Sequence, residues 1–231
     1  MSDPTYAPLT WDGTGTRYYH TGVSKGVLYV QSDSGTYPKG VAWNGLTGVT
    51  SSPDGAEPVD LWADNMKYAS FRAAETYGGT ITAYTFPDEW YECDGYASPT
   101  GLNGMHIAQQ RRKPFGFCYR TEIGNDTAVE TDNGYILHLV YGATASPSDQ
   151  DHETINDNPD AMEFSWDFET TPVTMSSALS NGRPTSYIEL NSIALGSTKM
   201  TAIENALYGT NAADPYLPTP DQVASILSSA T

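Results

Sequence analysis

Glu163-Phe164-Ser165-Trp166-Asp167-Phe168-Glu169 places an acid or a serine at every odd position and an aromatic ring at every even one. Side chains alternate across an extended strand, so the segment presents a triple aromatic stripe on one face and an acidic row on the other. Each ring is worth about 1.5–3 kcal/mol when buried, so the stripe predicts a sheet laid over a core. Tyr135-Ile136-Leu137-His138-Leu139-Val140-Tyr141 reads differently. Tyr135, Leu137, Leu139 and Tyr141 share one face, while Ile136, His138 and Val140 share the other. A strand apolar on both faces is either central between two layers or set against a partner chain.

Residues 26–31, 59–63, 68–73, 80–86, 115–121 and 186–192 add further short strands, separated by Gly, Pro, Ser and Asp turn signals. Residues 1–25 show little periodicity and read as an arm that something else must order. Residues 38–57 are Gly-rich and read as a long loop carrying Trp43 and Leu46; a loop of that length usually has a job. Pro87-Asp88-Glu89 leads a short helix that ends at Asp94-Gly95, with acids at its positive end. Past Ser197 the pattern changes: Met200, Ile203, Ala206 and Leu207 follow helical spacing and Gly209 stops the helix. Thr219-Pro220-Asp221 opens a last helix containing Val223, Ile226 and Leu227. The expected organisation is a mainly β domain over residues 1–196, with a small helical extension over 197–231 docked on it.

The 231 residues include 28 acids against 11 bases, a net charge of −17. That argues against a protein that coats a nucleic-acid duplex, which needs a basic footprint. Sixteen Tyr and five Trp are too much ring area for a disordered coil. Cys93 and Cys118 are too few for a disulfide framework or a Cys-based zinc site; two reduced thiols are expected, one bridge being the alternative. The N-terminus lacks the pattern of a secretory signal, and no run approaches the ~20 apolar residues of a membrane span. A soluble protein made in a cytoplasm, with no membrane partner, is expected.

Chemistry-bearing motifs are sparse. The chain carries no Gly-rich phosphate loop, zinc-protease helix or nucleophile elbow, and neither catalytic residues nor a cofactor nor a metal is expected. His138, mid-strand, reads as a structural histidine. Asp149, Asp151, Glu153, Asp157 and Asp160 echo the spacing of a calcium loop, but Thr154 stands where Gly is needed and Asp160 where a bidentate Glu belongs. A solvated acidic loop is the plainer reading. Glu163, Asp167 and Glu169 share a strand face on which alternate residues lie ~6.5–7 Å apart. That spacing suits a glycosidase acid pair, as it does any acidic amphipathic strand. Arg111, Arg112, Lys113 and Arg120 gather four of the eleven bases into ten positions. They are candidates for docking an acidic partner or phosphate; for so acidic a chain the nearest acidic partner is another copy of itself, which is favoured over nucleic acid. Charges guarding an edge strand are the competing reading.

Several segments together resemble a known family. They are Asp60-Leu61-Trp62-Ala63-Asp64-Asn65, the run from Gly79 to Trp90, the run from Gln109 to Thr121, Ile123-Gly124-Asn125-Asp126-Thr127 and the run from Leu137 to Ala143. Ala145-Ser146-Pro147-Ser148, Thr154-Ile155-Asn156-Asp157, Phe164-Ser165-Trp166, Leu207-Tyr208-Gly209 and the run from Leu217 to Val223 complete the set. In this order, from about residue 57 to 228, the chain resembles the major tail (tail tube) protein of long, non-contractile-tailed bacteriophages. The resemblance implies a tail-tube-type β-sandwich or barrel with a short flanking helix. It implies subunits joined edge to edge into hexameric rings that stack into a hollow tube, part of the virion and assembled in the host bacterium's cytoplasm. The lumen would hold the tape-measure protein and later pass DNA without specific binding; tail terminator and distal tail or baseplate proteins would meet the tube's ends. An open edge strand is a hazard in a monomer and becomes the join in a ring.

On that reading the arm and the 38–57 loop, with Trp43 and Leu46, are candidate inter-ring contacts. Arg111, Arg112, Lys113 and Arg120 are candidate inter-subunit contacts. Glu163, Asp167 and Glu169 form a candidate acidic face for the lumen or the outer wall. The alternatives are a carbohydrate-binding or hydrolytic β-sandwich module, or another structural role in a virion.

Overall fold

The computed structural model describes residues 9–55, 57–72, 75–102, 104–127, 133–150, 152, 154, 161–176, 179 and 182–230. The chain is mainly β, one large antiparallel sheet with a few short helices. Its strands among the described residues are β1 (Tyr18–Val30), β2 (Gly40–Trp43), β3 (Leu46–Ser51), β4 (Pro58–Ala63), β5 (Met66–Arg72), β6 (Gly78–Ala83), β7 (Phe115–Asn125), β8 (Gly134–Ala145), β9 (Phe164–Thr170) and β10 (Tyr187–Asn191). The helices are α1 (Trp90–Cys93), α2 (Ser192–Leu195), α3 (Ser197–Tyr208) and α4 (Pro220–Ser229).

The sheet runs β2-β1-β7-β8-β9-β6-β3, with β10 beside β8. Its first and last strands, β2 and β3, are consecutive in the chain and joined by Asn44-Gly45 alone. A link of two residues spans little more than 10 Å at about 3.3–3.6 Å per residue, so the sheet must curl until its ends meet. A side chain on Gly26, in β1, would come within 3.1 Å of Leu46 and 3.4 Å of Trp43. The fold in the sheet lies at Gly142. β8 pairs with β10 as far as Val140 and with β9 from Ala143 onward. Gly142 between them takes φ +61, with the Thr171 carbonyl where a Cβ would sit.

Curling creates an inside and an outside, and strand alternation sorts the residues between them. Leu28, Phe117, Tyr119, Val140, Trp166, Phe168, Ile81 and Trp43 point inward, joined by Trp90 and Cys93 of α1. Their sequence neighbours Val27, Tyr29, Cys118, Leu139 and Tyr141 point outward. There they meet Met200, Ile203 and Leu207 of α3, Leu217, and Val223 of α4. The strand that reads as apolar on both faces is therefore central between two layers. The aromatic stripe of β9 is buried at Trp166 and Phe168 and half-buried at Phe164, with Ser165, Asp167 and Glu169 exposed. Tyr29 donates to the Leu207 carbonyl (2.7 Å) and Tyr141 to that of Pro218 (2.9 Å), tying the helical segment to the sheet. α4 starts on a capping box of Thr219 and Gln222 behind Pro220. Cys93 and Cys118 are free, on opposite faces of the sheet, and burial pushes both thiols up to about 12.

Two expectations are corrected. β1 begins at Tyr18, well inside the expected arm, pairing Tyr18–Thr21 with Asn125–Glu122 of β7. Its first five residues are exposed, so no alternation marks them. Residues 38–57 are not one long loop but contain β2 and β3. Their glycines serve strand contact: a Cβ on Gly40 would lie 2.7 Å from the Tyr29 ring and one on Gly48 2.8 Å from the Thr82 hydroxyl.

On the inner face beyond the aromatic cluster, His138 stacks on Tyr119 at 4.4 Å. Tyr187 donates to Glu189 (2.7 Å), so the His138 Nδ1–H donates to the Tyr187 oxygen and Nε2 accepts from Thr121 (2.8 Å). The neutral ring is fully satisfied. Burial lowers its pKa below the ordinary 6.5, with Glu189 opposing and His20 adding to the shift.

Two outcomes are expected. Trp43→Ala, which empties the centre of the inner layer, costs about 3–5 kcal/mol in urea denaturation. Because the unfolded chain protonates His138 more readily than the folded one, its contribution is complete above about pH 6.5 and is lost as pH falls through the lower folded value. Melting temperature therefore falls from about pH 7 to about 5.5, above the carboxylate range, and falls less in His138→Gln. Equal falls in both proteins would place the effect elsewhere.

Candidate assembly surface

β4 and β5 form a hairpin that pairs with no other strand among the described residues and contains no buried residue. Asp64 and Asn65 make its turn, at φ +50 and +60, the positive-φ pair that matches strand twist in a two-residue hairpin. The register pairs Val59 with Phe71, Leu61 with Ala69 and Ala63 with Met66. Those six side chains share one face, and all are apolar. The other face carries Asp60, Trp62, Lys67, Ser70 and Arg72, and a bulge at Tyr68 separates the two register blocks. Asp60 accepts from Lys67 and Ser70, both at 2.7 Å, which together hold its carboxyl below the usual range. The polar face is thus cross-linked within itself, while Phe71 remains 61% and Trp62 69% exposed. A lone two-stranded hairpin is marginal in water, and a contiguous apolar face marks a surface meant to be covered.

The residues singled out from sequence fall elsewhere. Trp43 is only 3% exposed, donates its indole N–H to the Thr85 carbonyl (2.9 Å) and touches Trp90, Phe117 and Trp166. It belongs to the core, and its expected role as an exposed anchor is withdrawn. Leu46 likewise packs against that core. Arg112 donates to Asp94 (2.9 Å), Lys113 to Glu92 (2.7 Å), and Arg120 forks onto Glu122 while its guanidinium lies 3.9 Å above the Tyr135 ring. Three of the four clustered bases are paired with carboxylates of the same chain, and Arg111 and Lys113 are the two that are exposed. Glu163, Asp167 and Glu169 are all exposed; Glu163 accepts from Thr47, and Asp167 from Thr80 (2.6 Å). Of the calcium-like loop, Asp151, Glu153, Asp157 and Asp160 lie outside the described residues.

Three surface cavities hold ionised groups: about 310 Å³ beside Arg120 and Glu122, 650 Å³ beside Asp54, Asp167 and Glu169, and 510 Å³ beside Asp94 and Arg112. A fourth, of about 320 Å³, is lined by Tyr18, His20, Ile123, Asn191, Ile193 and Ala194. No family model matches the chain, and a search of curated proteins finds no match either.

Sequence reading finds β4 and β5 as strands but not their isolation. The sequence marks 59–63 and 68–73 as short strands; that nothing among the described residues covers them it does not mark. Because the hairpin supports no core, Phe71→Ser and Trp62→Ala each change the unfolding free energy of the isolated chain by less than ~0.5 kcal/mol. A larger loss in urea titration would mean that the hairpin packs on its own chain.

Proposed function

We propose that the protein is a virion structural subunit that self-assembles into the stacked rings of a bacteriophage tail tube. The observation that carries this reading is the amphipathic hairpin of β4 and β5, which stands off a curled sheet with its apolar face in water. It supplies the protruding contact that the resemblance looks for, at residues 58–72 rather than 38–57. The inner and outer layers leave the sheet self-supporting before assembly, as a stackable subunit requires. The exposed acids Glu163, Asp167 and Glu169 suit a wall that DNA passes: carboxylates offer phosphates no counterion release, so DNA does not stick. Tape-measure, terminator and distal tail proteins are the further partners of this reading. Trp62 and Tyr68, both exposed, are what a carbohydrate-binding module would share. A monomer that binds an oligosaccharide and loses it in Trp62→Ala would move the reading there.

Each copy carries −17, so stacking works against repulsion that salt screens over ~10 Å at 0.1 M. Negative-stain microscopy of the concentrated protein is expected to show hollow tubes with a regular axial repeat, longer or more numerous at moderate than at low salt. Phe71→Asp abolishes them. Monomers at every salt, or tubes indifferent to Phe71→Asp, count against the reading.

A further inference from the structure

The fourth cavity lies past the aromatic core. Tyr18 and His20 of β1 share a face with Ile123 of β7, opposite His20 in the register. The end of β10 and α2 close its other side with Asn191, Ile193 and Ala194, where the Asn191 side chain accepts from the Ile193 and Ala194 amides and fixes the wall. Tyr18 is 55% and Ile193 51% exposed, so the groove is open, mostly apolar, with Tyr18, His20 and Asn191 contributing its polar groups. Resting on the assembly reading above, we infer that this groove receives the apolar face of the hairpin, Val59, Leu61, Met66 and Phe71, from a second copy of the chain.

Charge selects this acceptor. Two chains of −17 approach closely only where neither presents a carboxylate. The hairpin's apolar face has no charged side chain, and the groove lining has no carboxylate, ammonium or guanidinium. The three other cavities described above are lined in part by carboxylate or guanidinium groups, which an apolar face would have to desolvate at a cost. The groove's volume of about 320 Å³ holds large side chains of the kind that Phe71 and Met66 offer. The occupant of this proposal is a second copy, which carries the matching uncharged and exposed face. Hairpin and groove are different patches of one chain, so the contact is head to tail, and each copy both gives and receives. Such contacts propagate into rings or filaments, whereas face-to-face pairing of two hairpins stops at a dimer.

Two variants separate these outcomes, read by light scattering after size exclusion under conditions where the wild type assembles. Phe71→Asp spoils the donor and keeps the acceptor; Ile193→Asp does the reverse. Each alone is expected to stay monomeric, needing roughly thirtyfold more protein to associate, the scale of a lost hot-spot side chain. Mixed one to one, they form a heterodimer that grows no further, because only one of the two contacts survives. Tyr18→Asp repeats the Ile193→Asp result at a second exposed position, and unchanged thermal melts of all three show that folding is intact. Ile193→Asp and Tyr18→Asp assembling as the wild type does, or a mixture that stays monomeric, overturns the groove while leaving self-assembly standing. A wild type that never associates overturns both.

Discussion

The link Asn44-Gly45 makes the two ends of the sheet neighbours. A two-residue connection between β2 and β3 cannot bridge a flat seven-strand path, so curvature is built into the covalent chain. Gly45 takes φ +73 with the Thr85 side chain 2.9 Å from where a Cβ would be, so the turn sits tightly against the segment just after β6. Trp43, immediately before the turn, is carried to the middle of the closed space. Its ring lies 4.7 Å from Trp90 and 5.6 Å from both Phe117 and Trp166, in tilted or edge-on contacts that aromatic quadrupoles favour. One residue therefore meets β7, β9 and α1 at once. The inner layer is this aromatic cluster, and the remaining inner side chains fill around it.

Closure also decides what the helices do. With the inner face filled, the outward residues of β1, β7 and β8 still need cover, and that cover comes from a segment far along the chain. Met200, Ile203, Leu207 and Leu217 supply it, and the buried hydroxyls of Tyr29 and Tyr141 satisfy carbonyls of that same segment. Nothing comparable reaches β4 and β5. They leave the sheet after β3, pair only with each other among the described residues and return at β6, and their apolar face has no counterpart among the described residues of its own chain.

Legibility followed alternation. The β9 stripe, the two-faced β8 and the helical spacing of Met200, Ile203 and Leu207 state their burial in the sequence, because each is set by contacts on both sides of a regular element. Tyr18–Thr21 pair with β7 yet are exposed along their whole length, so this end of the strand leaves no alternation of buried and exposed residues. Gly40 and Gly48 imitate a loop because close strand approach and turn formation call for the same residue. Trp43 was misplaced for that reason: a tryptophan among glycines reads as a loop anchor until the glycines are seen to make room for strands. The basic cluster misled differently. Its partners Glu92, Asp94 and Glu122 were in plain sight, but pairing across 18 to 21 residues, as Arg112 and Lys113 do, depends on how α1 docks before β7.

A large exposed apolar face normally threatens solubility, and the acidic excess addresses that threat. Repulsion between copies acts over about a Debye length, whereas apolar burial acts only at contact. Two chains therefore meet a barrier before they meet an attraction, and random collisions of hairpins are discouraged. A contact that joins uncharged patches, with carboxylates displaced to its rim, concentrates the attraction where the repulsion is least. Raising ionic strength lowers the barrier without weakening the contact. Under the proposed reading, the same composition that keeps the subunit soluble during synthesis thus leaves its growth responsive to whatever shortens the range of charge. A template of already aligned copies would act in the same direction, since it presents a groove at fixed distance and spares the incoming chain the search.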